Sequence, residues 1–350
     1  MNEREKTMAN GGAKAGAALE GPQAIMQMFQ AAHATAVLCS ACELAVFAQL
    51  GDGAKDAAAV AKRIQCPERS TRILLDALVA LDLLRKERET YRLAPLAEAH
   101  LVPGTPMYMG DFAGLIGHPA LWGGLGRLAD AVRAGGTVLA EHAETPKHPF
   151  WETFARSSAS LAGPAAMVLE GLLHDWIASR PRVRVLDIAA GSGIYGYTLL
   201  RSHANVELTA LDWPNVLVET RKWAGRLGVD TSRVKYLEGS LFDVDYRGPY
   251  DLILLSHVYH HFEPPTCRAL TRKVAAALAP GGRVAVHDFL AGDDNPGAAM
   301  FSVVMLVWTR KGEAYSADDY REWLGESGLK PLGVHANTAM PTSFVIAEKT

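Results

Sequence analysis

The chain has 350 residues, 49% of them hydrophobic, and a formal net charge of -3 at neutral pH. That length and apolar content are enough for two domains, and the weak negative charge gives no electrostatic reason to expect a nucleic-acid partner. No run resembles a membrane span or a secretory signal, so a cytoplasmic location is expected; Cys39, Cys42, Cys66 and Cys267 form neither a secreted disulfide framework nor two zinc-ligand pairs.

Residues 1–22 are rich in Ala, Gly and Lys and read as a disordered tail. Residues 23–105 read as a helical module: a long apolar helix or two over 24–50, a short helix over 56–64, and a third from Pro67 to Leu84 with Ile73, Leu74, Leu78, Leu81 and Leu84 at helical spacing. Arg85 to Leu93 then alternates like a wing hairpin. This order is that of a winged helix, which admits a DNA-binding regulator. Its candidate recognition helix, however, sets Arg69 and Arg72 among Glu68, Asp76 and Asp82, a mixture better suited to a solvated or partner-facing surface. Cys39 and Cys42 sit inside the apolar pattern and read as buried neutral thiols. Residues 106–175 read as a helical connector and lid, in which Phe150, Trp151 and Phe154 share one helical face.

Residues 176–350 carry the chemistry. Val183 to Ile188 is an apolar strand containing Asp187, followed by the small-residue turn Ala189-Ala190-Gly191-Ser192-Gly193 and a helix over 194–201. Chain without side chains at Gly191 and Gly193 lets a nucleotide-like ligand approach the backbone. The string Gly191 to Gly196 also satisfies the dinucleotide fingerprint, so an NAD-dependent oxidoreductase competes. Asp187 argues against it: a carboxylate there repels a diphosphate but suits S-adenosylmethionine, which carries an ammonium and a sulfonium. Val206 to Leu211 reads as the next strand, with Asp212 placed to accept ribose hydroxyls. After the strand 234–237, the turn Gly239-Ser240-Leu241-Phe242 is able to close over an adenine ring, with Trp213 and Phe242 on its two faces unless both are ordinary rim aromatics.

The strand Leu252 to Leu255 leads into Ser256-His257-Val258-Tyr259-His260-His261-Phe262, at a strand end that faces the cofactor crevice. His257 and His261, with Glu263, would ligate zinc if the segment were helical, but nothing completes such a site and no metal is expected. A strand over 283–286 leads to Asp288. Met300, Phe301, Val304, Met305 and Trp308, with the aromatics near residue 150, form candidate walls for a flat apolar substrate.

From Gln23 onward the chain resembles the S-adenosylmethionine-dependent O-methyltransferases of plant and bacterial small-molecule metabolism. The likeness rests on Asp187-x-Ala189-x-Gly191-x-Gly193, where Ala189 replaces the usual glycine, on Asp212, on the Gly239 to Phe242 turn, and on Leu278-Ala-Pro-Gly-Gly-Arg-Val-Ala-Val-His-Asp288. The resemblance implies a doubly wound, Rossmann-like α/β sheet behind an N-terminal winged-helix dimerisation domain, hence a homodimer. It places His260 at the catalytic histidine of a His-Asp-Trp triplet, with His261 where the family has an acid, and Asp288 at the glutamate that orients the histidine. Ala314, beside Glu313, falls at the position of a second glutamate. A phenol near pKa ~10 is a poor nucleophile until deprotonated, and an imidazole near ~6.5 accepts its proton at neutral pH. The expected reaction is methyl transfer to a hydroxyl of a small aromatic or polyketide-like metabolite, with N- or C-methylation as the variant on the same scaffold.

Overall fold

Parallel strands covered on both faces need nearly continuous apolar runs, and Val183–Ile188 and Tyr250–Ser256 supply them. The computed structural model describes residues 21–105, 107–293, 295–337 and 340–350. Up to residue 20 the expected tail lies outside these; Gly21 and Pro22 already lead into the first helix.

The N-terminal helices are α1 (Pro22–Glu43), α2 (Val46–Leu50), α3 (Ala57–Ile64) and α4 (Glu68–Ala80). Strands β1 (Lys55–Asp56), β2 (Leu84–Glu87) and β3 (Thr90–Leu93) form a small antiparallel sheet in the order β1-β3-β2. The third helix of the expected pattern therefore stops at Ala80, and Leu84 is the buried first residue of the wing. Val46, Phe47, Leu75, Leu78, Leu84 and Tyr91 form its core. Arg72 and Lys86 both pair with Asp76, at 3.2 and 2.7 Å, so these cations are committed within the module. Cys39 and Cys42 are free and half-buried rather than buried, and burial pushes the Cys42 thiol up to about 11.

Short helices α5 (Pro95–His100), α6 (Phe112–Ile116), α7 (Pro119–Leu125) and α8 (Leu128–Ala134) lead to α9 (Phe150–Ser157) and α10 (Ala159–Ala178). The sheet follows: β4 (Val183–Ile188), α11 (Ile194–Ser202), β5 (Val206–Asp212), α12 (Pro214–Arg226), β6 (Val234–Glu238), β7 (Tyr250–Ser256), α13 (Pro264–Ala277) and β8 (Leu278–Asp288). The short strands β9 (Leu290–Ala291) and β10 (Tyr315–Ser316) flank α14 (Pro296–Trp308); α15 (Ala317–Glu326), β11 (Leu329–Ala336) and β12 (Ser343–Lys349) complete the chain. The large sheet runs β11-β12-β8-β7-β4-β5-β6, parallel from β8 to β6, with β12 antiparallel to both its neighbours.

The strand order reverses at β4, whose neighbours are β5 and β7. Strands diverge there and leave a crevice beyond their carboxyl ends, the place where such sheets bind ligands. Asp187, Asp212, Ser256 and Asp288 all lie at or near those ends. The element that roofs the crevice is set by local signals: Asn295 caps α14 through the Ala298 N–H, and Pro296 occupies its first turn.

Candidate active site

The turn after β4 passes through the left-handed region three times, at Ala189 (φ 56°), Gly191 (φ 56°) and Gly193 (φ 77°). At Gly193 a Cβ would also meet the Tyr197 ring at 2.5 Å, so this position tolerates no side chain. The turn is tied to β5 by Asp212, whose Oδ2 accepts the Gly191 N–H (2.8 Å) and whose Oδ1 accepts the Trp213 N–H (2.7 Å). Asp187 Oδ2 accepts the Gly196 N–H at 3.2 Å.

Both acids are buried and short of positive charge. Burial pushes the Asp187 carboxyl up to about 7 against the opposing Gly196 hydrogen bond, and Asp212 up to about 6. Among the described residues no lysine or arginine lines the compartment that both acids border, while Arg310 and Lys311 border the adjoining one beside Asp212. An incoming cation stabilises such carboxylates, whereas a diphosphate is repelled by both. The donor set therefore fits S-adenosylmethionine.

Two adjoining compartments open here, of about 640 and 340 Å³, sharing Ala189, Asp212, Trp213, Leu241, His261 and Phe262 among their walls. The first is bounded by Gly239, Ser240, Phe242 and Asp243 and suits a nucleoside. The second is lined by Asp187, Gly191, Ser256 and His260 on the sheet side and by Phe150, Trp151, Phe154, Phe301, Met305 and Trp308 on the helical side.

His260 lies in a single 3-10 turn, Tyr259–His261, and is buried. Its Nδ1 is 2.5 Å from Asp288 Oδ1. Burial alone would raise the Asp288 carboxyl, but the neighbouring His260 and His257 outweigh it and hold the acid well below the ordinary carboxylate range. An ionised carboxylate only accepts, so Nδ1 carries the proton and the lone pair falls on Nε2. His261 is kept neutral, pushed well below the usual range by burial and by His260.

Residues 165–330 match the profile of the O-methyltransferase domain, and residues 26–103 match that of the O-methyltransferase dimerisation domain. Acetylserotonin O-methyltransferase of Mus musculus is 30% identical over 89% of this chain and 84% of its own. The chain belongs to the O-methyltransferase family. The 3-hydroxy-5-methyl-1-naphthoate 3-O-methyltransferase of Streptomyces sahachiroi is 29% identical over 85% of this chain and 86% of its own. A Nostoc punctiforme crystal structure assigned to the O-methyltransferases superposes with a TM-score of 0.87 at 32% identity, over 95% of this chain and 100% of that one. The protein is an S-adenosylmethionine-dependent O-methyltransferase, and the oxidoreductase and DNA-binding readings give way.

In this O-methyltransferase, Asp187, Ala189, Gly191, Asp212, Trp213, Ser240, Leu241, Phe242 and Ser256 all border one compartment or both. Gly193 borders neither; it acts through backbone conformation as the residue that opens α11. Asp288 is fully buried behind His260 and does not line the cavity, which makes it a positioning residue rather than a catalytic one. Met300 is a further correction. It is 68% exposed and outside the cavity wall: Phe301, Val304, Met305 and Trp308 form the inward stripe of α14, and Met300, about 40° beyond Val304, falls just past its edge in the first turns of the helix.

The helical zinc arrangement of His257, His261 and Glu263 does not form. His257 takes a left-handed conformation (φ 59°), a 3-10 turn follows it, and Glu263 pairs with Lys311 at 2.9 Å. Both histidines instead line the cavity. Glu313 is exposed and Ala314 buried, and neither borders the compartments. The second support for the histidine–acid pair comes from Tyr320, whose hydroxyl donates to Asp288 Oδ2 at 2.9 Å. Sequence reasoning missed Tyr320, and missed His287, a neutral imidazole pushed down to about 2 by burial that binds Tyr195 Oη and Thr342 Oγ1, each at 2.8 Å.

Proposed function

We propose that His260 is the general base of this O-methyltransferase and that its acceptor is a hydroxyl on a small aromatic or polyketide-like metabolite held against Phe154, Phe301 and Trp308. The observation that carries this reading is the bond from His260 Nδ1 to Asp288, which leaves Nε2 free to accept a proton at the cavity. Asp288 holds the ring orientation and stabilises the imidazolium that forms as the hydroxyl loses its proton. Asp187 and Asp212 hold the cofactor's cationic and ribose groups, Leu241 and Phe242 bound its adenine, and the apolar helical wall excludes water from the acceptor. S-adenosylmethionine supplies, when bound, an electrophilic methyl group on a sulfonium. The relatives named above act, by their names, on acetylserotonin and on a hydroxylated naphthoate, and the aromatic lining of this cavity suits acceptors of that flat kind.

The working unit is a homodimer through residues 23–105, followed by a connector and lid to residue 175 and the catalytic domain from 176. Ile25, Met26, Met28 and Phe29 of α1 stand 52–69% exposed, an apolar surface that a second copy would cover. The test of the base is His260→Ala, which should leave S-adenosylhomocysteine affinity near wild type while turnover of a phenolic acceptor falls about 100-fold or more. Unchanged turnover would remove His260 from the role.

A further inference from the structure

The acceptor compartment has a charge pattern that restricts its ligand more narrowly than its shape does. Among the described residues its wall contains no lysine and no arginine, while Glu144, Asp187 and Asp212 are among the residues that line it. The nearest cations, Arg310 and Lys311, border the nucleoside compartment. Lys311 Nζ is paired with Glu263 at 2.9 Å, and Arg310, whose Nε meets the His142 ring at 3.3 Å, stands on the nucleoside side only. The histidines offer no counter-ion either. His261 is kept neutral by burial, and His260 and His257 both face Asp288, at 2.5 and 3.8 Å.

Hydrocarbon predominates on the helical side, where Ser158 is the polar residue in the wall. His257, His260 and His261 stand together at the end of β7, with the Phe301 ring edge-on to His260 at 4.7 Å, while Phe112, Leu115, Ile116, Leu121 and Phe154 add hydrocarbon from the helices. A carboxylate on the acceptor set against that hydrocarbon, or near Asp187 or Asp212, loses hydration without gaining a partner, and at the imidazoles it would add a second anion beside Asp288. A hydroxyl or carbonyl edge meets the imidazoles at no such cost.

We infer that this enzyme methylates an uncharged, flat acceptor whose oxygens lie along one edge, and that it discriminates against acceptors bearing a carboxylate. The inference rests on reading the second compartment as the acceptor site. It also separates this chain from the Streptomyces sahachiroi relative, whose named substrate is an acid.

The test uses matched pairs, hydroxynaphthoic and hydroxyanthraquinone carboxylic acids against their methyl esters, titrated into the full-length enzyme loaded with S-adenosylhomocysteine. The carboxylic acids are fully ionised at pH 7.5. Esters are expected to bind about tenfold or more tightly than their acids. Equal or stronger binding of the acids, or no binding of any ester, overturns the inference. Ile116→Arg provides a second arm. Ile116 lines the compartment yet is 38% exposed, so a cation there adds charge to the wall at little cost to folding, and it should narrow or reverse the ester preference. A preference indifferent to that substitution also counts against the inference. Mass spectrometry of the same mixtures separates the two proposals: esters bound but not methylated leave the neutral-acceptor inference standing and remove the O-methylation site as read, whereas acids methylated in preference do the reverse.

Discussion

Tyr320 donates its hydroxyl to Oδ2 of Asp288 at 2.9 Å, from a helix 32 residues downstream, while His260 occupies the other oxygen of the same carboxylate. Asp288 is thus held from two sides inside the core, with no exposure to solvent. Neither oxygen is free to rotate toward water, and the imidazole it orients has one orientation available. The dyad suggested by the family resemblance is in the folded chain a three-residue chain, Tyr320–Asp288–His260.

Removing either end of that chain should separate binding from turnover. Asp288→Asn replaces an acceptor by a group able to donate to Nδ1, which moves the ring proton to Nε2 and occupies the lone pair of the base; turnover should fall about 100-fold or more. Tyr320→Phe deletes one hydrogen bond to a charged acceptor, worth about 1.5–3 kcal/mol. Its kcat should drop about tenfold or more, while the acceptor KM and S-adenosylhomocysteine affinity stay near wild type. Steady-state kinetics with calorimetric titration of the product checks both, and a tyrosine variant that loses cofactor affinity as much as kcat would mean the hydroxyl only supports the fold.

The cofactor acids lead to a pH prediction. Asp187 and Asp212 are pushed up to about 7 and 6 by burial, well above the carboxylate range of an unfolded chain. Groups raised in this way contribute stability to the cofactor-free protein at low pH, present in full below about 4 and lost as pH climbs through 6 and 7. Their ionised forms are the ones a sulfonium and an ammonium favour. S-adenosylmethionine should therefore bind about tenfold more tightly at pH 7.5 than at pH 5.5 and release protons on binding, which titration in buffers of different ionisation heat measures directly. The thermal stabilisation by the cofactor should correspondingly be larger at pH 8 than at pH 5.5. A pH-independent affinity would show that the two acids are ionised before the cofactor arrives.

Which of these parts were visible in the sequence follows from the distance over which each is specified. Asp187, Asp212 and Asp288 each stand at the end of a strand or one residue before it, in apolar runs that are local, so their placement at one sheet edge follows from strand periodicity and the switch-point rule. His260 needed the family likeness, since three histidines in five residues look alike until the backbone separates them: left-handed at His257, a 3-10 turn at His260 and His261. Tyr320 was illegible because its partner lies across a packing interface that no local pattern encodes. Met300 was misplaced for a different reason: α14 is apolar on most of its circumference, so composition marks the helix as buried without giving its phase. The spacing of Phe301, Val304, Met305 and Trp308 gives the phase of the stripe but leaves Met300, about 40° from Val304, at its edge.

Gly312 shows how a residue outside the site controls it. A Cβ built there would lie within the contact shell of the His260 carbonyl oxygen and the Thr309 hydroxyl, so the loop after α14 crosses the catalytic turn only without a side chain. Gly312→Ala should push the turn away by a few tenths of an ångström or more. Stability should fall about 1–3 kcal/mol through overpacking. Turnover should fall about tenfold to 100-fold, since displacements near 1 Å at a reacting group cost rates of that order. Denaturant unfolding and kcat on the same variant test this; wild-type turnover would mean that the loop yields instead of His260.

Ala189 carries a strain that the family's usual glycine would not. It holds φ 56° at the mouth of the cofactor turn, a conformation that costs a residue with a Cβ about 1–2 kcal/mol. Ala189→Gly removes that cost but gives the unfolded chain more freedom, worth about 0.4–1 kcal/mol in the opposite direction. The net expectation is a gain of about 0.5–1 kcal/mol, seen as a higher denaturant midpoint with an unchanged slope. Cofactor affinity should be retained, because the Gly191 N–H that anchors the turn to Asp212 is left in place. A loss of stability in the glycine variant would mean that the alanine methyl, which borders both compartments, contributes more by packing than its backbone conformation costs.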